Sequence, residues 1–181
     1  MKRLVVLLAA CSSNGSSPDA PLFPDVPPGT FALASPSLAP NASFATDNTC
    51  DGADLSPELD WENAPGGTGS FAVVLTDMSI SLIHWVIYDI PGGATGLPAG
   101  VAAGYEPANV PGAHQPIGLQ APDRVYHGPC PPAKHFYQFA VYALPEATLP
   151  GATMDTTKED AVDTITAHGG SVATLLGSYM H

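Results

Sequence analysis

Ile83-His-Trp-Val-Ile-Tyr-Asp-Ile90 is a run of β-branched and aromatic side chains closed by Pro91-Gly92-Gly93. Residues of this kind suit the pleated, half-buried surface of a strand, and the Pro-Gly pair ends it. Two other stretches read alike. Phe71-Ala-Val-Val-Leu75 is short and wholly apolar, and Phe136 to Leu144 (FYQFAVYAL) stops at Pro145. Between such runs the chain is rich in turn formers, with 20 Pro and 18 Gly in 181 residues, which suits a loop-rich β fold. At 45% hydrophobic the chain can bury one sizeable core.

Toward the C-terminus the period changes. Ala161, Ile165, His168, Val172, Leu175, Leu176 and Tyr179 recur at helical spacing. Thr156 with Glu159 forms a possible capping box, and Gly169-Gly170 divides the segment into two pieces. The expected fold is therefore a mostly β sandwich with one or two short C-terminal helices. His168 falls on the apolar stripe and is expected as a core or cap residue.

The N-terminus reads as an address. Met1-Lys2-Arg3 is cationic and Leu4 to Ala10 is apolar, the pattern of a secretory signal over residues 1–10. Leu8-Ala9-Ala10-Cys11 resembles a bacterial lipobox, which implies lipidation of Cys11 and a membrane partner through that anchor. Residues 11–28, rich in Ser, Pro, Gly and Asp, then form a flexible tether, leaving 29–181 as the domain. The expected location is the bacterial cell envelope, and Ser12 after the cysteine points to the outer membrane. With Cys11 as anchor, Cys50 and Cys130 remain as an even pair for a disulfide in an oxidising compartment. The competing reading is a reactive Cys130 working with a nearby histidine.

The formal net charge is −12. Beyond Lys2 and Arg3, only Arg124, Lys134 and Lys158 stand against 17 acids. Nucleic acid is excluded as a partner, because its binding rests on neutralising phosphates with Lys and Arg. Any anion site must be built from local donors.

Candidate chemistry sits at strand ends. Residues two apart share a strand face, so His135 and Tyr137 project together, and His84 shares its face with Val86, Tyr88 and Ile90. Asp77 ends the first strand. Gly128-Pro129-Cys130-Pro131-Pro132 precedes His135, and so proline-rich a segment can wall a pocket with little ordering entropy. Taken singly, each of these residues is more often a packed core or turn residue than a ligand.

Together they match a pattern. Thr49-Cys50-Asp51-Gly52, Leu55-Ser56-Pro57 and Leu59-Asp60-Trp61 resemble the opening motif of the bacterial phosphatidylethanolamine-binding proteins, the Raf-kinase-inhibitor-like group. The resemblance continues in order through Ala64-Pro65, Ser70-Phe71-Ala72-Val73, His84-Trp85-Val86, Ile90-Pro91 and Leu97-Pro98-Ala99-Gly100. It ends with Gly128 to Pro132, His135-X-Tyr137, Tyr142-Ala143-Leu144 and Leu176-Gly177-Ser178-Tyr179, and so spans about Phe31 to Tyr179.

The resemblance implies a two-sheet antiparallel β-sandwich with C-terminal helices. It also implies a small pocket for phosphate-like anions or phospholipid head groups, formed by Asp77, His84, Gly128, Pro129, His135 and Tyr137. One motif departs: where the family has Asp-Pro-Asp-Ala-Pro, this chain has Asp77-Met78-Ser79-Ile80-Ser81, so the loop before His84 is short and the rim more open.

The function expected is non-catalytic binding, with no cofactor. Two alternatives stand beside it. One is a regulator or inhibitor of a protease or kinase acting through the pocket rim. The other is a metal-dependent enzyme using Asp77, His84 and His135 as two histidines and a carboxylate. No HExxH spacing or G-x-S-x-G elbow supports an enzymatic reading.

Overall fold

The structure is a computed structural model that describes residues 22–23 and 26–181. The signal segment, Cys11 and most of the tether lie outside the described residues. Among the latter, no helix is long and apolar enough to cross a membrane.

Two antiparallel sheets form the framework. The smaller one orders β1 (Ala32–Ala34), β2 (Leu59–Glu62) and β5 (Gly96–Leu97) as β1-β2-β5. The larger contains β3 (Ser70–Asp77), β4 (Leu82–Pro91), β6 (His135–Leu144) and β7 (Ser171–Tyr179), in the order β4-β3-β6-β7. All named strand pairs are antiparallel. A single α-helix, α1 (Lys158–His168), completes the set.

The three apolar runs are near-continuous because the large sheet is covered on both faces. Phe71, Val73 and Leu75 face inward with Leu33, Trp61, Trp85, Ile87, Phe139 and Val141. Ala72 and Val74 face outward with Val86, Tyr88 and Leu144, where Ala161 and Ile165 of α1 cover them. Each strand therefore has no polar face to interrupt its sequence.

The C-terminal expectation is corrected in three respects. Only the first piece is helical, and Ser171–Tyr179 is an edge-side strand rather than a second helix. Its buried positions are Ala173, Leu175, Gly177 and Ser178, while Val172, Thr174 and Leu176 are exposed. Ala173 and Gly177 on the inward face are small, while Val172 and Leu176 lie outward, so apolar spacing imitates a helix where the backbone alternates. The helix cap also lies one residue later. Thr157 is the N-cap and its hydroxyl oxygen accepts from the Asp160 N–H at 3.2 Å, in place of Thr156 with Glu159. Finally, His168 is exposed and its Nδ1 lies 3.1 Å from Glu146 Oε1, so it is not a core residue.

β4 departs from strict alternation twice. Ile83 pairs with Thr76 but Trp85 with Leu75, so His84 is an extra residue on its strand. Ile90 pairs with Phe71 and Ile87 with Val73, leaving a second irregularity around Asp89, whose φ is +58°. A bulge re-aims the side chains on either side of it. The first bulge carries His84 off the outward face of Val86 and Tyr88. The second returns Ile90 to the inward cluster while Tyr88 stays outward. The expectation that His84 shares a face with Val86, Tyr88 and Ile90 is thus corrected.

Candidate functional site

Antiparallel pairing brings the ends of β3, β4 and β6 together at one end of the large sheet. Asp77 pairs across to Leu82 on one side and Tyr137 on the other. The hairpin between β3 and β4 is four residues long, with Ser81 in the left-handed region at φ +56°. Asp77 shapes this turn by accepting the Ser79 N–H at 2.8 Å, an Asx turn. The Met78 N–H donates to the Phe136 carbonyl at 2.8 Å, and Ser79 Oγ accepts from the Phe136 N–H at 3.0 Å, which docks the hairpin on β6.

A cavity of about 190 Å³ opens here, lined by Asp77, Ile80, Leu82, His84, Cys130, Pro131, Pro132, His135 and Tyr137. Four of the six expected binding residues, Asp77, His84, His135 and Tyr137, meet in it. Gly128 and Pro129 do not line it; the wall is the next three residues. Sequence reading also passed over Ile80 and Leu82, since apolar residues in a hairpin carry no signal of lining.

Gly128 and Pro129 hold that wall in place. The Gly128 N–H donates to Asp54 Oδ1 at 2.7 Å, and the Pro129 carbonyl accepts the Cys50 N–H at 3.2 Å. The Tyr126 hydroxyl, buried beside Trp85, donates to the Asn48 carbonyl at 2.8 Å. A Cβ on Gly128 would meet the Asn48 carbonyl oxygen at 2.4 Å, so only glycine passes that point. The Cys50–Cys130 disulfide closes the wall onto residues 50–54, with Cα atoms 5.4 Å apart. Cys130 is therefore not a free thiol.

The imidazoles are each anchored by one nitrogen. His135 Nδ1–H donates to Asp77 Oδ2 at 2.6 Å. His84 Nδ1 lies 3.0 Å from the His127 carbonyl oxygen. A carbonyl only accepts, so the proton on His84 sits on Nδ1 and the neutral ring presents Nε2 as a lone pair. Burial holds the His84 pKa below the ordinary imidazole value, against the pull of the His127 carbonyl and the Asp77 carboxylate. Neither Nε2 has a hydrogen-bond partner in the protein, and neither is sealed off within it.

The Tyr137 ring stands edge-on to His84, centroids 5.4 Å apart, and 6.4 Å from His135. Burial first, then the nearby Asp77 charge, pushes its phenol pKa well up, so it remains an O–H donor. Asp77 is 1% exposed with both oxygens engaged, by His135 and by Ser79. Two imidazole nitrogens and one phenol thus face a small half-open space, oriented by a buried carboxylate behind them.

As for a metal, Asp77, His84 and His135 do not bring three ligand atoms together. Among the described residues the one such grouping is Cys50, Cys130 and His181, beside the pocket.

The same architecture occurs in known proteins. The family model described as phosphatidylethanolamine-binding protein matches residues 34–180. A protein of Methanothermobacter thermautotrophicus, named only as a UPF0098 protein, is 37% identical over 139 residues, covering 72% of this chain and 86% of its own. The presumptive lipoprotein LppC of Mycobacterium tuberculosis is 33% identical over 172 residues, covering 83% of this chain and 80% of its own. Among solved structures, Escherichia coli YbcL, described as a member of the mammalian PEBP family, superposes with a TM-score of 0.73 at 26% identity. That match covers 83% of this chain and 98% of YbcL.

Proposed function

The chain belongs to the phosphatidylethanolamine-binding protein family, and from that membership we propose that it is a non-catalytic envelope protein whose pocket binds phosphate-like anions. The observation that carries this reading is the convergence of His84, His135 and Tyr137 on one small cavity, where the Nε2 of each imidazole is not used by the protein. Phosphate oxygens want N–H and O–H donors in a partly desolvated site; Tyr137 supplies an O–H, and each imidazole Nε2 supplies an N–H once its ring is protonated. Asp77 acts behind the site. With both oxygens occupied it fixes the His135 tautomer and does not take a ligand ammonium, as a carboxylate does behind a metal-bound histidine. The envelope location is supported by the leader-like residues 1–10, by Cys11 and by the similarity to LppC; lipid anchoring and the outer membrane are part of the same proposal.

The protonation state sets the ligand preference. With His84 neutral, its Nε2 is an acceptor and needs a proton from the ligand. Inorganic phosphate carries a P–OH near neutral pH and can give one; a phosphodiester head group has none. A diester is therefore held by the Tyr137 hydroxyl alone until a ring protonates, while phosphate can also donate to a neutral Nε2. An anion beside the ring raises its pKa, so binding takes up a proton and affinity climbs as pH falls. One proton allows at most about a tenfold gain per pH unit.

Calorimetric titrations with inorganic phosphate and with glycerophosphoethanolamine, from about pH 5 to about pH 8, test this. Both affinities rise toward acid, the diester's more steeply. Flat profiles for both ligands eliminate the histidines as donors, and equal slopes eliminate the P–OH argument.

A second reading has its own support. Met78, Ile80 and Phe136 are all more than half exposed, at 51%, 59% and 57%; Ile80 lines the pocket, while Met78 and Phe136 line a separate groove with Leu176. Exposed apolar side chains of the β3–β4 hairpin and the start of β6 suit a protein partner, as a kinase or protease regulator would need. Partners captured equally by wild type and by a His84→Ala, His135→Ala double variant, and lost from a Met78→Ser, Phe136→Ser variant, support that reading.

A further inference from the structure

Beside the pocket, Cys50, Cys130 and His181 place one ligand atom each within 4.8 Å of one another, and all three residues are exposed. His181 Nδ1 is 4.0 Å from Cys50 Sγ and 2.5 Å from Asp51 Oδ1. This is no accident of a free side chain: the His181 N–H donates to the Pro131 carbonyl at 3.0 Å, which pins the residue to the pocket wall. Tyr179 in turn donates its hydroxyl to Asp51 Oδ2. Two sulfurs, an imidazole and a carboxylate therefore crowd one surface point.

In the oxidised chain the sulfurs are bonded to each other and offer no thiolate. Reduction changes the chemistry without requiring the backbone to move. Zinc–sulfur bonds of about 2.3 Å in a tetrahedral site set two sulfurs roughly 3.8 Å apart. Side chains whose Cα atoms are 5.4 Å apart reach that spacing by rotation alone. We propose that Cys50, Cys130 and His181, completed by the Asp51 carboxylate, form a zinc site that exists only when the disulfide is reduced.

The balance is simple. A dithiol gives the disulfide two electrons and two protons by exchange and closes to its own disulfide. Zinc then displaces the two thiol protons, binding both thiolates and the neutral imidazole. Soft sulfur with nitrogen selects zinc over magnesium or calcium, and a chain with 17 acids against five bases draws cations toward it. Because Cys130 lines the anion cavity and His181 holds Pro131, metal occupancy is built into the pocket wall.

Cobalt(II) is the probe, since tetrahedral thiolate ligation gives it a strong visible absorption that an oxygen shell does not. The full chain is reduced with a phosphine, which takes its oxygen from water as the disulfide gains two electrons and two protons. It is then titrated with cobalt and back-titrated with zinc. The expected result is one equivalent of thiolate-ligated cobalt in the reduced chain, none in the oxidised chain, and displacement by zinc. His181→Ala weakens cobalt binding at least tenfold, and the surface position of this residue leaves the fold intact. No thiolate band at one equivalent, or an unchanged titration for His181→Ala, overturns the proposal. The readout uses no anion, so it stands whether or not the pocket binds phosphate.

Discussion

Asp77 shows how much depends on a single buried side chain. It ends a strand, caps its own turn and aligns His135, all with two oxygens. Asp77→Asn keeps the shape and turns one acceptor into a donor facing the His135 Nδ1–H. The ring then shifts its proton to Nε2 or rotates, and phosphate affinity falls about tenfold, a loss typical of outer-shell partners. Calorimetry measures the loss, and an unchanged melting temperature separates it from unfolding. Unaltered affinity would show that His135 orientation does not matter to the ligand. The residues of this site were legible in sequence as types at strand ends. What could not be read was that both oxygens of Asp77 are engaged, because that depends on the Ser79 N–H across a turn whose length alone is visible.

Among elements, β4 and the Gly128–Pro132 segment decide the geometry. The strands β3, β4 and β6 were readable because covering a sheet on both faces makes its strands continuously apolar. The bulge at His84 was not readable. It is set by pairing with Thr76 and Leu75 of a neighbouring strand, which period-two counting within β4 does not contain. β7 was misread for a related reason, since Ala173 and Gly177 are too small to register as an inward face. The wall segment makes a sharper demand. Gly128→Ala must push a methyl against the Asn48 carbonyl, which lies in a loop also fixed by Tyr126. Overpacking of this sort costs about 1–3 kcal/mol. Chemical denaturation should show that loss with phosphate affinity falling alongside it. Wild-type stability would mean the 46–54 loop yields freely.

At the scale of the whole molecule, the disulfide spans 80 residues and links the loop between β1 and β2 to the pocket wall. Closing so long a loop restricts the unfolded chain, so a Cys50→Ser, Cys130→Ser variant should lose about 2–5 kcal/mol. Equilibrium urea unfolding gives that number, and a loss below about 1 kcal/mol would mean the bridge fastens a wall already held by other contacts. The two-sheet body with one helix was legible as a fold class from composition and strand runs together with the ordered motifs. The excess of acids was legible too, and it requires any anion site to be built locally: with so few cations, nothing at long range favours a phosphate.

The claim under all of this is that His84 and His135 turn their Nε2 atoms toward a shared anion. Nitrogen-15 spectroscopy of the imidazoles during a titration with inorganic phosphate reads it atom by atom. The account predicts that Nε2 of His84 and Nε2 of His135 shift together along one saturating curve, while both Nδ1 signals keep the pattern of protonated, anchored nitrogens. Shifts confined to His114, His127, His168 or His181, or none at the two pocket rings, would contradict it.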